Sequence, residues 1–293
     1  MFKKAVLILA LVFLVATGLA VDLNYWSLQA PYGTGATAKG SLSVYTNPAA
    51  LILQRKWEAN FLSTIWNDDY DSSYEVYMAN LIQPLENGFA GALDIIYGHL
   101  KDEDEEDNYA SFGYTVAGKM NDIGWGARII TGRFDKKDDQ DAYYGSANFG
   151  LMYAFGENSY LMINANAPQI VTSDASLFEV NKPESFWFGG GLLSATDDAR
   201  GYVSLQGYTK EKEPYLSSNF GGGVKIGILN VDLSLSVMDI GRELNEFSKV
   251  KPYGNSLVML DFENFSAGLS VAVPLNGFVL SDLKYNFFVT ARW

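Results

Sequence analysis

Between residues 56 and 293 apolar and polar side chains alternate at every second position, in runs of about ten residues that end at Gly, Pro, Asn, Asp or Ser. In Val231-Asp232-Leu233-Ser234-Leu235-Ser236-Val237 the valines and leucines share one face, and Asp232, Ser234 and Ser236 the other. Phe265, Ala267, Leu269, Val271 and Val273 oppose Ser266, Gly268, Ser270 and Ala272 in the same way. A period of two sends successive side chains to opposite faces of a strand. The pattern therefore predicts about fourteen strands, over 56–66, 72–82, 88–99, 109–119, 123–134, 143–155, 160–167, 185–195, 201–209, 216–228, 231–242, 253–260, 265–273 and 283–293. Local alternation does not say which face is buried, because a soluble sandwich alternates as well and turns its apolar face inward.

The connections add a constraint. Short ones (84–87, 120–122, 156–159, 196–200, 229–230, 261–264) alternate with longer or more acidic ones (67–71, 101–107, 135–141, 168–184, 210–214, 243–252, 274–282). A barrel with one rim of tight turns and one rim of loops requires that alternation and an even strand number. With both termini at the short-turn rim, the acidic loops are external.

Composition agrees with a barrel: 28 glycines, 14% aromatic and 19% charged residues, with mean hydropathy near zero. Lipid-facing and lumen-facing positions average to such values. The chain opens on Met1-Phe2-Lys3-Lys4, an apolar run over 5–16 and Gly18-Leu19-Ala20, which reads as a secretory leader over 1–20. After it no apolar run approaches the roughly 20 residues of a spanning helix. A membrane-embedded mature chain must then be a closed barrel.

The formal charge of −13 makes nucleic acid an unsuitable partner. No cysteine is present, so neither disulfides nor thiolate chemistry enter. His99 is the only histidine and falls at a strand end beside an acidic stretch, where it reads as a solvated rim residue rather than a catalytic base. Residues 101–107, Lys-Asp-Glu-Asp-Glu-Glu-Asp, lack the glycine and spacing of a calcium loop and read as a self-repelling external loop. Gly33-Thr34-Gly35 neither follows a strand nor opens a helix, so it is no dinucleotide fingerprint. No cofactor and no metal site is expected.

Residues 33–51, GTGATAKGSLSVYTNPAAL, stand apart from the wall. Glycines and alanines give a closely packing backbone, and Pro48 fixes φ and biases Asn47 away from helix. One reading is a turn leading into the first strand. The other rests on a likeness: a small-residue run ending in SVYTNPAAL, after a leader and before the first strand, resembles the N-terminal hatch of the FadL and PorV-like outer-membrane barrels. The match falls on Asn47, Pro48 and Ala49, with Ala50 and Leu51 also fitting. The run before the motif is shorter than is usual in that family. The last segment resembles the C-terminal strand by which such barrels are recognised by their assembly machinery: Tyr285, Phe287, Val289, Ala291 and Trp293 share one face, Lys284, Asn286, Thr290 and Arg292 the other.

The resemblance implies an all-β transmembrane antiparallel barrel over 56–293, a short hatch over 21–55 inside its lumen, and residence in the outer membrane. It also implies passive uptake of a hydrophobic or amphipathic molecule, with outer-membrane lipids, the assembly machinery and a lipophilic ligand as partners. A PorV-like partner-binding or structural barrel is the alternative, and a general porin the third reading. With the lipid face assigned as above, Asp94, Arg128, Lys225, Asp232, Lys284 and Arg292 point inward. Charges there must be paired or wet. They either knit wall to hatch or meet the polar end of a ligand.

Overall fold

The computed structural model describes residues 42–67, 73–102, 105–136, 142–166, 170–173, 187–210, 213–240, 251–276 and 283–293. The leader and the first part of the hatch, through residue 41, lie outside the described residues. A four-residue helix α1 (Ser43–Thr46) and a 3-10 helix (Pro48–Leu53) precede the wall. The wall is β1 (Glu58–Asn67), β2 (Ser73–Glu86), β3 (Phe89–Asp102), β4 (Glu105–Met120), β5 (Ile123–Lys136), β6 (Ala142–Gly156), β7 (Ser159–Asn166), β8 (Ile170–Ser173), β9 (Trp187–Ala195), β10 (Ala199–Lys210), β11 (Glu213–Ile226), β12 (Leu229–Ile240), β13 (Lys251–Asp261), β14 (Phe265–Pro274) and β15 (Lys284–Arg292).

Every pairing is antiparallel, and β1 closes on β15 from Glu58↔Arg292 to Trp66↔Lys284. β7 pairs with the Asn148–Gly156 part of β6 and β8 with the Ala142–Gly145 part, so these two strands share one place in the ring. The result is a closed barrel of 14 staves. Closure removes the unpaired edge that an open sheet would present to lipid.

The apolar face points outward. Leu93, Ile95, Phe112, Tyr114, Leu205, Leu233 and Phe287 are exposed, while Asn80, Asp94, Thr115, Arg128, Asp232, Asn255, Ser270 and Asn286 at inward positions of the wall are buried. That polarity is the reverse of a sandwich and suits hydrocarbon outside. Aromatic rings band the outer surface at two heights. Phe61, Tyr77 and Tyr97 stack at 6.3 and 6.5 Å across β1, β2 and β3. At the other end Trp57 stacks on Trp293 at 6.5 Å and Phe89 meets Trp125 edge-on at 6.2 Å. Girdles of this kind hold a barrel at the two membrane interfaces, where a ring is half apolar and half wet. The tight rim uses left-handed turn residues, Asn87 (φ 52°), Gly88 (φ 85°), Asn121 (φ 56°) and Gly227 (φ 63°), the conformation that two-residue hairpins demand.

Four expectations need correction. The stretch 101–107 is not a free loop: β3 runs to Asp102 and β4 starts at Glu105, with Lys101↔Glu106 and Asp102↔Glu105 in register. Asp135 likewise belongs to β5, opposite Asn108. The hydrogen-bond ladder continues into these acidic stretches, where apolar and polar residues no longer alternate to mark the strand. In the interval 168–184 the strand β8 replaces expected loop. At the tight rim β2 carries Pro84 and continues to Glu86, absorbing the proline in a register shift between Gln83 and Glu86, the place in a sheet where a residue without a donor is tolerated.

Candidate functional site

The turn at Asn47 is built locally. Asn47 donates its backbone N–H to the Ser43 carbonyl (3.0 Å), and its side-chain oxygen accepts from the Ala49 N–H (3.3 Å). Pro48 occupies the first position of the 3-10 helix, where a missing donor costs nothing. The turn is buried: Asn47 and Ala49 are 0% exposed.

What it lies on is a floor without side chains. A Cβ on Gly126 would stand 2.4 Å from the Pro48 carbonyl carbon, and one on Gly150 would stand 2.0 Å from the Asn47 side-chain oxygen. A Cβ on Gly124 would meet Ile52 at 2.4 Å. Gly126 and Gly150 are direct cross-strand partners on β5 and β6. Beside this floor Asn148 donates to the Tyr45 carbonyl (2.9 Å) and Asn164 to the Thr46 carbonyl (2.8 Å). Leu51, Ile52 and Val44 complete an apolar cluster with Ile82, Met78, Met152 and Met162 of the wall. The described part of the hatch therefore sits inside the lumen, against the β2–β6 side.

The inward charges form two bridges of one design. Asp94 on β3 reaches across β4 to Arg128 on β5, bidentate, with Nε 3.0 Å from Oδ2 and Nη2 on Oδ1. It can do so because its cross-strand neighbour is Gly113, whose Cβ would lie 2.3 Å from the carboxylate. Asp232 on β12 reaches across β11 to Arg200 on β10 (2.6 Å), over its own neighbour Gly223, and also accepts from the Tyr202 hydroxyl (2.8 Å). Both aspartates are 1% exposed. Full pairing is what makes a buried carboxylate tolerable.

At the tight rim a third network crosses the closing seam. Arg292 bonds Glu58 (2.8 Å), Asp261 (2.7 Å) and Ser266 (3.1 Å), and Asp261 also takes Lys225 (2.7 Å). This network borders a cavity of about 210 Å³ that Arg200, Asp198, Asn60 and Thr290 also line. A second space of about 570 Å³, lined by Leu53, Gln54 and Arg55 among others, shares Glu58, Asp261 and Arg292 with it. The open space lies on the side of the hatch turned toward β1 and β9–β15, and its lining is mostly polar. Above it an amide and hydroxyl ladder runs round the wall: Thr64 to Asn286 (2.7 Å), Asn286 to Ser270 (2.9 Å), Asn255 to Ser236 (2.8 Å) and Asn219 to Ser236 (2.6 Å). Among the described residues no three acidic or histidine side chains converge to hold a metal.

The structure thus brings Asp94 to Arg128, and Lys225 to Arg292 through Asp261; it gives Asp232 to Arg200, which alternation alone did not single out. Lys284 places its Nζ 5.1 Å from the Tyr253 ring. His99 hydrogen-bonds Asn108 (3.0 Å) near the loop rim. On β15, Phe287, Val289 and Trp293 face outward, and Phe288 turns inward over Gly268. The glycines Gly113, Gly126, Gly150 and Gly223 are the residues sequence reasoning passed over. Their only signal was a missing inward side chain within an otherwise regular alternation.

No family model and no curated protein sequence matches the chain. Solved structures do. The Pseudomonas putida toluene transporter TodX superposes with a TM-score of 0.59 at 9% identity, over 94% of this chain and 99% of that one. A TodX monoaromatic hydrocarbon channel lacking S2 gives 0.60 at 10% identity, over 91% and 98%. A FadL homologue of Pseudomonas aeruginosa gives 0.57 at 9% identity, over 94% and 98%. At such identities the likeness is one of architecture, and it extends along nearly the whole of each chain. The fold of this chain is that of the FadL-like outer-membrane barrels.

Proposed function

We propose that the chain is an integral barrel of the bacterial outer membrane that passively admits hydrophobic or amphipathic small molecules, with the turn at Asn47, Pro48 and Ala49 as its gate and no catalytic role. The observation that carries the reading is the seating of that turn. It rests on one side of the lumen, on glycines and amide donors, and leaves polar open space beside it at the rim. A segment held by shape and a few neutral hydrogen bonds can leave its seat without stranding a charge, whereas the wall's ion pairs stay intact. The likeness in fold to a toluene transporter and a monoaromatic hydrocarbon channel supports the same reading. Outer-membrane lipids surround the outward apolar belt, and the outward Phe287, Val289 and Trp293 serve the assembly machinery as its recognition strand.

A structural or partner-binding barrel is the second reading, favoured by the number of fully paired charges inside. The two separate on one variant. With Asn47→Ala and Pro48→Ala together, the barrel is expected to assemble normally, judged by its heat-modifiable gel mobility, and cells are expected to take up a lipophilic fluorescent probe several-fold faster than the parent. A filler segment would give lower barrel stability with no change in uptake. An assembled double variant whose uptake equals both the parent and a deletion strain would refute the gate.

A further inference from the structure

Among the described residues Tyr45 is the one aromatic ring that the hatch presents to the polar wall, where Arg128 and Asn80 receive it. Arg128 on β5 lies with its guanidinium carbon 5.0 Å from the ring centroid. Asn80 on β2 donates to the phenolic oxygen at 3.2 Å. Neither group is held in place by Tyr45. Asp94 clamps the guanidinium from behind, and Asn60 donates to the Asn80 carbonyl oxygen (2.8 Å) while accepting from Thr290 (2.6 Å). A relay from β15 through β1 to β2 thus orients the amide, and an ion pair across β4 orients the cation. The ring is 3% exposed and comes from a helix of four residues. A wall that is pre-organised without its occupant is a receptor, and this one is shaped for a flat π face bearing a hydrogen-bond acceptor.

We propose that Tyr45 is an intramolecular stand-in for the substrate, and that the Arg128–Asn80 pocket is a binding site for hydroxylated monoaromatic molecules, phenols, which take its place when the hatch turn leaves. The pocket's place on a transport path rests on the uptake reading above; its ligand class does not. A plain hydrocarbon ring would keep the contact with Arg128 and forgo the hydrogen bond from Asn80, so a phenol is expected to bind about three- to tenfold more tightly than its deoxy analogue.

The test uses the mature full-length chain with Tyr45→Ala and three probes: p-cresol, which is the tyrosine side chain itself, toluene, which lacks the hydroxyl, and cyclohexanol, which lacks the π face. p-Cresol is expected to raise the thermal midpoint of the variant at about three- to tenfold lower concentration than toluene, and cyclohexanol least. Asn80→Leu in the same background should erase the preference for p-cresol over toluene. Should Tyr45→Ala fail to assemble, p-cresol present during refolding should restore the yield of heat-modifiable barrel where toluene does not. Tyr45→Phe keeps the ring and loses the Asn80 bond, and cells carrying it should admit p-cresol faster than the parent. Equal stabilisation by p-cresol and toluene, or no effect of p-cresol on midpoint or refolding yield, would overturn the site. A Tyr45→Ala barrel that selects p-cresol while no strain takes it up would uphold the site and overturn the uptake reading.

Discussion

Arg128→Ala will destabilise the barrel more than any other single inward substitution, by about 3–5 kcal/mol, because it strands the Asp94 carboxylate without a counter-ion. Both side chains are at most 1% exposed, so water cannot replace the guanidinium. Gly113→Ala should fall in the same direction from the opposite cause: its methyl would stand 2.3 Å from the carboxylate and push it off Arg128. Asp94→Leu combined with Arg128→Leu should be near-neutral, since removing both partners leaves no buried charge. The comparison is read from urea unfolding of the reconstituted barrels. A cost below about 1 kcal/mol for Arg128→Ala would mean that the pair is as wet as a surface bridge.

Gly126→Val and Gly150→Val are expected to unseat the hatch turn. A Cβ at Gly126 collides with the Pro48–Ala49 backbone, and one at Gly150 with the Asn47 amide oxygen, which the Ala49 N–H holds in place. Overpacking by that much costs about 1–3 kcal/mol where the structure must shift, and here the segment able to shift is the turn, since the wall is fixed by its ladder. A cysteine at Ser43, 0% exposed in the parent, should become reactive to a water-soluble maleimide in both valine variants. Gly201→Ala is the control, since nothing stands within 4 Å of its Cβ position. Labelling of the Ser43 cysteine equal in all of these proteins would show that the turn holds its place without the glycine floor.

Period-two alternation made the strands and their faces legible, because the same pleat that sends Leu233 to lipid sends Asp232 to the lumen. It identified the inward charges Asp94, Arg128, Asp232 and Arg292 without saying what they touch. For Asp94 and Asp232 the partner arginine is two strands away, and whether an aspartate can reach that far depends on a glycine between, which one strand's pattern does not contain. The strand extensions past the loop rim and the short β8 were invisible for a related reason: outside the apolar belt the ladder persists while the hydrophobic signal ends. The seat of Asn47, Pro48 and Ala49 is likewise a property of two other strands. Gly126 and Gly150 look like ordinary gaps in the pattern until the fold sets them opposite one another.

Uptake of a lipophile by the purified protein in liposomes tests the transport role most directly. Vesicles enclosing a reporter of p-cresol entry should fill faster with the parent barrel than without it, and faster again with Gly150→Val, whereas Asn80→Leu assembled to the same density should alter entry of p-cresol more than entry of toluene. Entry rates that match protein-free vesicles in every case would contradict a transport barrel and leave the chain a structural or partner-binding one.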